Sequence, residues 1–498
     1  MSDLFKSLFI LDLANNHQGD VDHALTIINA IGKLARTRGV RMGFKFQYRD
    51  VDTLIHPDYR ERDDVKHIPR FLSTWLKPEQ YFTLVDAVRD QGMIPISTPF
   101  DEPSVRQCVD HGIQIIKVAS CSAKDWPLLE AIAETGKPTI ISTGGLNIYD
   151  IDNIVSFFTH REIEFALMHC VAIYPTPNAA LQMNFLSKMI KRYRNVPIGY
   201  SGHETPDNLD PVKAAVSKGA TMLERHVGLE TDQYKLNKYS LNPEQADLWV
   251  QSALAAKEIC GPEGEKQIQQ TELDSLLSLK RGLYAAKNIK EGSRIERKDV
   301  FFAMPCVEGQ TTSGDFGQKS VTYTASKEYN RNEPISEHRQ PDAVSMVRGI
   351  IHDAKGMIYE AGIVIGNDIT IELSHHFGIE HFRQIGALIV NVINREYCKK
   401  IVVLLAGQRH PNHYHKIKEE TFQLLWGEMK VEMSQHTVMM KPGDKVLVER
   451  GMWHAFSTNV GAIFEEISTT HVRDDSYYED ERIAKLDPME RKSVIDNW

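Results

Sequence analysis

Eight short apolar runs, each trailed by a stretch with helical spacing, fill the first 260 residues and constrain the fold more than any other feature. The runs are Leu8–Leu13, Met42–Gln47, Met93–Ser97, Ile115–Ala119, Thr139–Ser142, Phe165–His169, Pro197–Tyr200 and Thr221–His226. Helical spacing appears in Val21–Arg36, Pro78–Gln91, Leu128–Thr135 and Pro211–Lys218, and again in Pro243–Ile259 after the last run. Eight strands alternating with eight helices is the sequence form of an α/β (β/α)8, or TIM, barrel. A doubly wound open sheet is the competing arrangement. The regularity of the eight units, and the lack of a GxGxxG after the first run, favour the barrel.

Two further regions follow. Cys260–Thr271 is polar and reads as a linker, and residues 280–335 form a compact piece of short strands with turn signals at Glu291-Gly292 and Gly314-Asp315. Some 55 residues are marginal alone, so this piece is expected to pack on a neighbour. Ser336–Pro341 reads as a second linker. From about 345 the chain is strand-rich, with runs at Ile363-Val364-Ile365, Ile369–Leu373, Ala387–Ile393, Ile401–Leu405, Lys430–Met433, Lys445–Val448 and Ala462–Ile467, the spacing of an antiparallel sandwich or small barrel. The expected domains are thus 1–262, 280–337 and 345–498. The chain of 498 residues carries a net charge of −9, which disfavours nucleic acid or an anionic membrane as partner and requires a local basic pocket for any anionic ligand. No apolar run is long enough to span a membrane, and Leu8–Leu13 is too short for a signal-peptide core. Six dispersed cysteines without a CxxC pair fit reduced thiols, hence a cytoplasmic protein.

Barrel enzymes build their sites at the carboxyl ends of the strands. Those ends carry Asp12 with Asn16-His17, Lys45 and Gln47, Thr98, Lys117 with Ser120, Ser142-Thr143-Gly144, His169 with Tyr174, Ser201 with His203, and Glu224 with His226. A lysine between Phe44 and Phe46 is costly to bury without an anionic partner. Two lysines and several hydroxyls suit a ligand bearing phosphate and carboxylate. His203 and His226, on adjacent strands, could share a divalent metal or be hydrogen-bonded core groups.

The segments NNHQGD (15–20), KFQ (45–47), STPFD (97–101), KVAS (117–120), STGG (142–145), HC with YPTP (169–170 and 174–177), GYSGHE (199–204) and LERH (223–226) resemble, in order and spacing, the sialic acid synthase family. Residues 279–309 resemble that family's antifreeze-like domain. The resemblance implies phosphoenolpyruvate-dependent condensation with the open-chain aldehyde of an aldose to give a nonulosonic acid and phosphate. It implies a phosphoenolpyruvate pocket of Lys45, Thr98, Lys117, Ser120, Ser142 and Ser201, and Mn²⁺ on His203 and His226. Catalytic roles would fall to Asp12, Lys45, Gln47, Lys117 and Tyr174. A domain-swapped homodimer, in which the antifreeze-like domain closes the partner's barrel, is also implied. The acceptor half departs from the family pattern: Asp12 replaces a Glu, Ser122 an acid, Ala172 an Asn, KLNKYSL (235–241) an Asp-His loop, and Met304-Pro305 an Arg-Pro pair. A thioether cannot donate as a guanidinium does, so the expected acceptor is not N-acetylmannosamine.

GQRHPNHYHKIKEETFQLLWG (407–427) fits a first cupin motif, and PGDKVLVERGMWHAFSTN (442–459) resembles the second. His413 and His415 lie on one strand face, with Glu420 on the next segment and His454 on a facing strand, a three-His, one-carboxylate set suited to Mn²⁺, Fe²⁺, Ni²⁺ or Zn²⁺. His410 reads as a solvated loop residue and His375-His376 as sheet-face residues. Residues 396–422 are similar to cupin sugar isomerases of the lyxose isomerase type, in which Glu420 or Glu419 would move the proton. The module would isomerise the sugar, or only bind it; the alternatives for the whole chain are a cupin isomerase, or a carbohydrate-binding sensor with an altered barrel.

Overall fold

The computed structural model describes residues 3–496 apart from 263, 265, 317–322, 338–341, 367 and 435. Two compact units divide the chain, Met1–Lys266 and Gln267–Trp498.

In the first unit β1 (Leu8–Asp12), β2 (Arg41–Tyr48), β3 (Ile94–Pro99), β4 (Ile115–Val118), β5 (Thr139–Ser142), β6 (Phe165–Cys170), β7 (Ile198–Gly202) and β8 (Met222–His226) close a parallel barrel in chain order. All eight strands expected from the sequence are present. The closing register sets Asp12 level with Lys45 on β2 and with His226 on β8. Side chains alternate across each strand, and that alternation sorts the chemistry. Leu8, Ile10, Ile96, Ile115, Ile140, Met168 and Met222 point inward and fill the lower barrel. The next inward position on the same strands is polar: Asp12, Thr98, Lys117, Ser142 and Glu224, with Cys170 on β6. Leu11, Phe44, Phe46, Ile116, Ile141 and Leu167 point outward into the helical shell. The helices start where side chains of Asp20, Asp101, Asp125, Asn147 and Asn242 accept backbone N–H bonds, each worth ~1 kcal/mol.

His169 also falls on the outward parity. Its Nε2 lies 2.8 Å from Leu181 O and its ring packs against Phe185 and Tyr200, so it braces the shell rather than the mouth. Arg225 points outward between the inward-facing Glu224 and His226. Its Nη1 donates to Glu204 Oε1 at 2.6 Å, and Tyr200 donates to Glu204 Oε2 at 2.9 Å. Both charges are fully buried.

The second unit begins with a helix, Gln270–Leu279, part of which the sequence assigns to a linker. Short antiparallel pairs follow: Gly282–Ala285 with Val300–Ala303, and Arg294–Ile295 with Tyr323–Thr324, over a small core that includes Leu283, Ile295, Tyr323 and Ile335. Gly292 makes its turn at φ 74°, whereas Gly314-Asp315 sits in a helical turn. Most of the second expected linker, 338–341, lies outside the described residues.

Beyond it stand two antiparallel sheets, of seven and five strands. Val402, Leu404, Phe422, Leu424, Phe456 and Phe464 fill the space within the sandwich, and Ile401, Val403 and Leu405 alternate onto the opposite face. That opposite face is covered by an 18-residue helix, Ala343–Glu360, absent from the strand-only expectation. Its signal was present: Val347, Ile350, Ile351, Ala354 and Ile358 repeat at helical spacing behind Asp342, which caps Ser345 N at 2.7 Å. The expected strand at Ile363-Val364-Ile365 does not form. Ile363 and Ile365 pack on the helix–sheet cluster while Val364 is exposed, an alternation with no partner strand.

Removing the Glu204 carboxylate leaves Arg225 buried and unpaired. Glu204→Ala is expected to destabilise the barrel by about 3 kcal/mol, read as an earlier urea unfolding transition by tryptophan fluorescence.

Candidate active sites in the barrel and the sandwich

At the barrel mouth Lys45 Nζ lies 3.1 Å from Asp12 Oδ2 and 3.1 Å from Glu224 Oε1. The anionic partner that a lysine between two phenylalanines requires is therefore supplied by the protein itself. Burial alone would lower the Lys45 pKa, but the two carboxylates raise it, and they are held ionised in return, burial notwithstanding. Gln47 Nε2 donates to Asp12 Oδ2 at 3.1 Å, and Ser201 to Glu224 Oε1 at 2.9 Å.

Lys117 is in a different position. It is buried, it donates to Ser142 Oγ and to Val118 O at 3.2 Å, and among the described residues it has no ion-pair partner. Burial lowers its pKa; the Glu224 carboxylate works against this shift and the Lys45 charge adds to it. Ser120 Oγ accepts from Gly144 N at 3.1 Å, and among the described residues the buried Thr98 hydroxyl has no hydrogen-bond partner. A buried cation, an orphaned hydroxyl and two serines form a cradle that an anion would complete.

The His203 and His226 rings are 5.3 Å apart. His203 Nδ1 lies 3.2 Å from Val171 O, an acceptor only, so Nδ1 carries the proton and Nε2 is left basic. His226 Nε2 is 3.5 Å from Asp12 Oδ2, and its buried Nδ1 has no hydrogen-bond partner among the described residues. Burial lowers His203 to about 3 and also lowers His226, which keeps both imidazoles neutral, the form a cation needs. Tyr174 meets His203 at a tilt, ring centroids 4.5 Å apart, and Tyr239 meets His226 edge-on at 5.3 Å. Asn16, by contrast, braces loops through Val227 O and Ser240, and His17 accepts from Gly19 N through Nδ1.

In the sandwich the metal candidates converge. Nitrogens of His413, His415 and His454 lie within 4.8 Å of one another. His454 is hydrogen-bonded neighbour to His413 within the five-stranded sheet, not on a facing strand. Glu420 is the residue that faces them, from the seven-stranded sheet, with Oε2 3.2 Å from His454 Nε2 and Oε1 3.5 Å from His415 Nε2. The Nδ1 atoms of His413, His454 and His415 meet Pro411 O at 3.0 Å, Met452 O at 3.1 Å and Asp475 O respectively. Three carbonyl acceptors fix three Nδ1–H tautomers and free three Nε2 atoms, the outer shell a metal site uses. Burial lowers the His413 and His415 pKa values and on its own would raise that of Glu420, but Lys418 with His454 and His415 together lower it and keep Glu420 ionised.

His410 is buried and stacked on Phe456 at 4.6 Å, and its Nε2 is 3.1 Å from His376 Nε2, so it is no solvated loop residue. A β-bulge between His410 and His413 turns both into the sandwich despite their odd spacing. Glu419 is exposed, one residue off the inward parity of Lys418 and Glu420. A cavity of about 70 Å³ adjoins the cluster, and Lys400, Lys418, Glu466 and His471 line it.

Residues 33–265 match the NeuB family, and residues 400–464 match the Cupin domain. The chain is 44% identical to a crystal structure assigned as spore coat polysaccharide biosynthesis protein E from Chromobacterium violaceum, with a TM-score of 0.65 over 68% of this chain and 100% of that one. The chain belongs to the NeuB family. Among curated relatives, the N,N'-diacetyllegionaminic acid synthase of Legionella pneumophila is 26% identical over 310 residues, 59% of this chain and 85% of that protein. The human N-acetylneuraminate-9-phosphate synthase is 26% identical over 290 residues, 57% of this chain and 79% of that protein.

In this NeuB barrel the sequence reading brought together Asp12, Lys45, Gln47, Thr98, Lys117, Ser120, Ser142, Ser201, His203 and His226, with Tyr174 on the imidazoles. It listed Glu224 at a strand end without a role, and it read the loop carrying Tyr239 only as a departure. In the cupin it missed Lys418, Glu466 and Asp475. Asp475 shows no local motif: its carboxylate accepts from the backbone N–H groups of 416–418, and so anchors His415 from sixty residues away.

Two outcomes follow for solution measurements. Full-length protein in which His413 or His454 is changed to Ala is expected to hold one metal equivalent less per chain by elemental analysis. His203, near 3 in the folded state and ordinary when unfolded, makes stability fall as pH drops from about 6.5 toward 4, because the unfolded chain binds the extra proton. Melts across that range should be flatter for His203→Asn.

Proposed function

We propose that the barrel condenses phosphoenolpyruvate with the open-chain aldehyde of an aldose, yielding a nonulosonic, sialic acid-like 3-deoxy-2-keto acid and inorganic phosphate. One observation carries this reading: among the described residues Lys117 is a buried amine hydrogen-bonded only to neutral groups, beside a Thr98 hydroxyl with no hydrogen-bond partner. Lys117, Ser120, Ser142, Ser201 and Thr98 would bind the phosphate and carboxylate, with Lys45 opposing the charge that develops as C3 attacks the aldehyde carbon. The carbonyl oxygen takes a proton from solvent, water adds at C2 and gives one proton to Asp12, and its second proton leaves with phosphate as the C2–O bond breaks and C2 becomes the ketone. His203 and His226 would hold a divalent cation, Mn²⁺ by resemblance, which when bound polarises the aldehyde. Gln47 orients Asp12, and Tyr174 and Tyr239 wall the pocket.

The named synthases among the relatives support a transferase of this class. Met304 in place of a guanidinium supports an acceptor other than N-acetylmannosamine. We extend the proposal to three modules, 1–262, 280–337 and 345–498, to a homodimer in which the middle module closes the partner's barrel, and to a cytoplasmic location. The cupin would bind a second divalent metal, Mn²⁺, Fe²⁺, Ni²⁺ or Zn²⁺, and isomerise or bind the sugar that the barrel consumes.

The deciding assay is phosphoenolpyruvate consumption with Mn²⁺ against a panel of aldoses. Turnover is expected to require one sugar class and to fall at least ~100-fold in Lys117→Met. Phosphoenolpyruvate left intact by folded protein across the panel would reject the barrel reading, and aldose–ketose conversion without phosphoenolpyruvate would move the main activity to the cupin.

A further inference from the structure

Arg49 continues the inward parity of β2 past Lys45 and Gln47, yet nothing in the reaction just described uses it. Its guanidinium is clamped between the rings of Phe71 and Phe100, at 4.2 and 4.0 Å. Nη2 donates to Gln47 Oε1 at 2.7 Å, Nη1 to Asn15 Oδ1 at 3.4 Å, and Nε is buried without a partner. Arg70 joins it from the short helix Ile68–Ser73, donating to Gln18 Oε1 at 2.8 Å and to Asn15 O at 3.0 Å. Among the described residues neither guanidinium has an ion-pair partner.

The nearby carboxylates are already committed. Asp12 is held by Lys45, Gln47 and His226. Asp101 spends its two oxygens on the backbone N–H groups of Ser104 and Asp50. Two guanidinium groups sharing Asn15, with only neutral partners, leave positive charge uncompensated at the rim of the pocket. Partial burial of an unpaired guanidinium is costly, and a planar donor fork held between aromatic rings is suited to a phosphate or carboxylate. Gln47 links the two ends: it accepts from Arg49 through one amide atom and donates to Asp12 through the other. One amide therefore separates the guanidinium from the carboxylate at the reacting centre, a gap that an open-chain six-carbon sugar spans.

We propose that Arg49 and Arg70 receive an anionic group on the far end of the acceptor, so that the aldose consumed by the barrel is a sugar phosphate or a sugar acid and not a neutral sugar. This rests on the barrel reading above. It predicts selectivity among acceptors and has no bearing on how phosphoenolpyruvate is held.

The test uses full-length protein with Mn²⁺ and aldohexoses in three matched forms: neutral, 6-phosphate and 6-carboxylate. Phosphoenolpyruvate binding is measured separately by calorimetry. One anionic form is expected to show kcat/KM at least 30-fold above its neutral counterpart, and whichever of the two does so identifies the anion. In Arg70→Gln, an exposed position where folding is not at risk, and in Arg49→Lys, that ratio is expected to collapse toward one through acceptor KM. A purely structural arginine would lower both forms alike. Equal use of neutral and anionic acceptors, a ratio unmoved in both variants, or no anionic acceptor used while phosphoenolpyruvate binds would overturn the inference. Failure to bind phosphoenolpyruvate would remove the barrel reading, and this inference with it.

Discussion

The pairing of β1 with both β2 and β8 is what the barrel's chemistry depends on. It closes the sheet and places Asp12, Lys45 and His226 on one level, with side chains turned to the same interior. A shift of one residue on β2 would exchange Lys45 for Phe44 or Phe46 and point the charge into the helical shell. Packing and chemistry are therefore specified together. The inward apolar layer of Ile10, Ile96, Ile140 and Met168 holds the register that presents the polar layer above it.

The two candidate sites solve the same problem, neutral imidazoles in a buried place, by the same device. Backbone carbonyls take the Nδ1 protons of His203, His413, His415 and His454, which fixes the tautomer without a charged partner. The cupin adds a carboxylate from the opposite sheet. Glu420 is kept ionised by Lys418, which is itself shared with Glu466, so the ligand set is tied into both layers of the sandwich.

Much of this was legible in the sequence. Strand periodicity located all eight barrel strands, and the strand ends named nearly every residue that meets at the mouth. What escaped has identifiable causes. His169 was placed at the mouth because position along a strand says nothing of which face a residue occupies until a register is known. The helix Ala343–Glu360 was hidden by the strand-rich stretch after it, although its spacing was plain. Arg49, Arg70 and Asp475 belong to no motif. Their surroundings come from residues distant in the chain, and only the folded loops reveal that the first two lack a counter-charge while the third anchors a ligand.

The bulge between His410 and His413 sets three residues on its strand against two on the neighbour. Deleting one residue from 411–412 would restore plain alternation and still leave both histidines facing inward. Chain length at this point is thus uncoupled from ligand orientation. Relatives that differ here by a single residue can share the same metal geometry, and an alignment should place its gap between the two histidines, not within the HxH that follows.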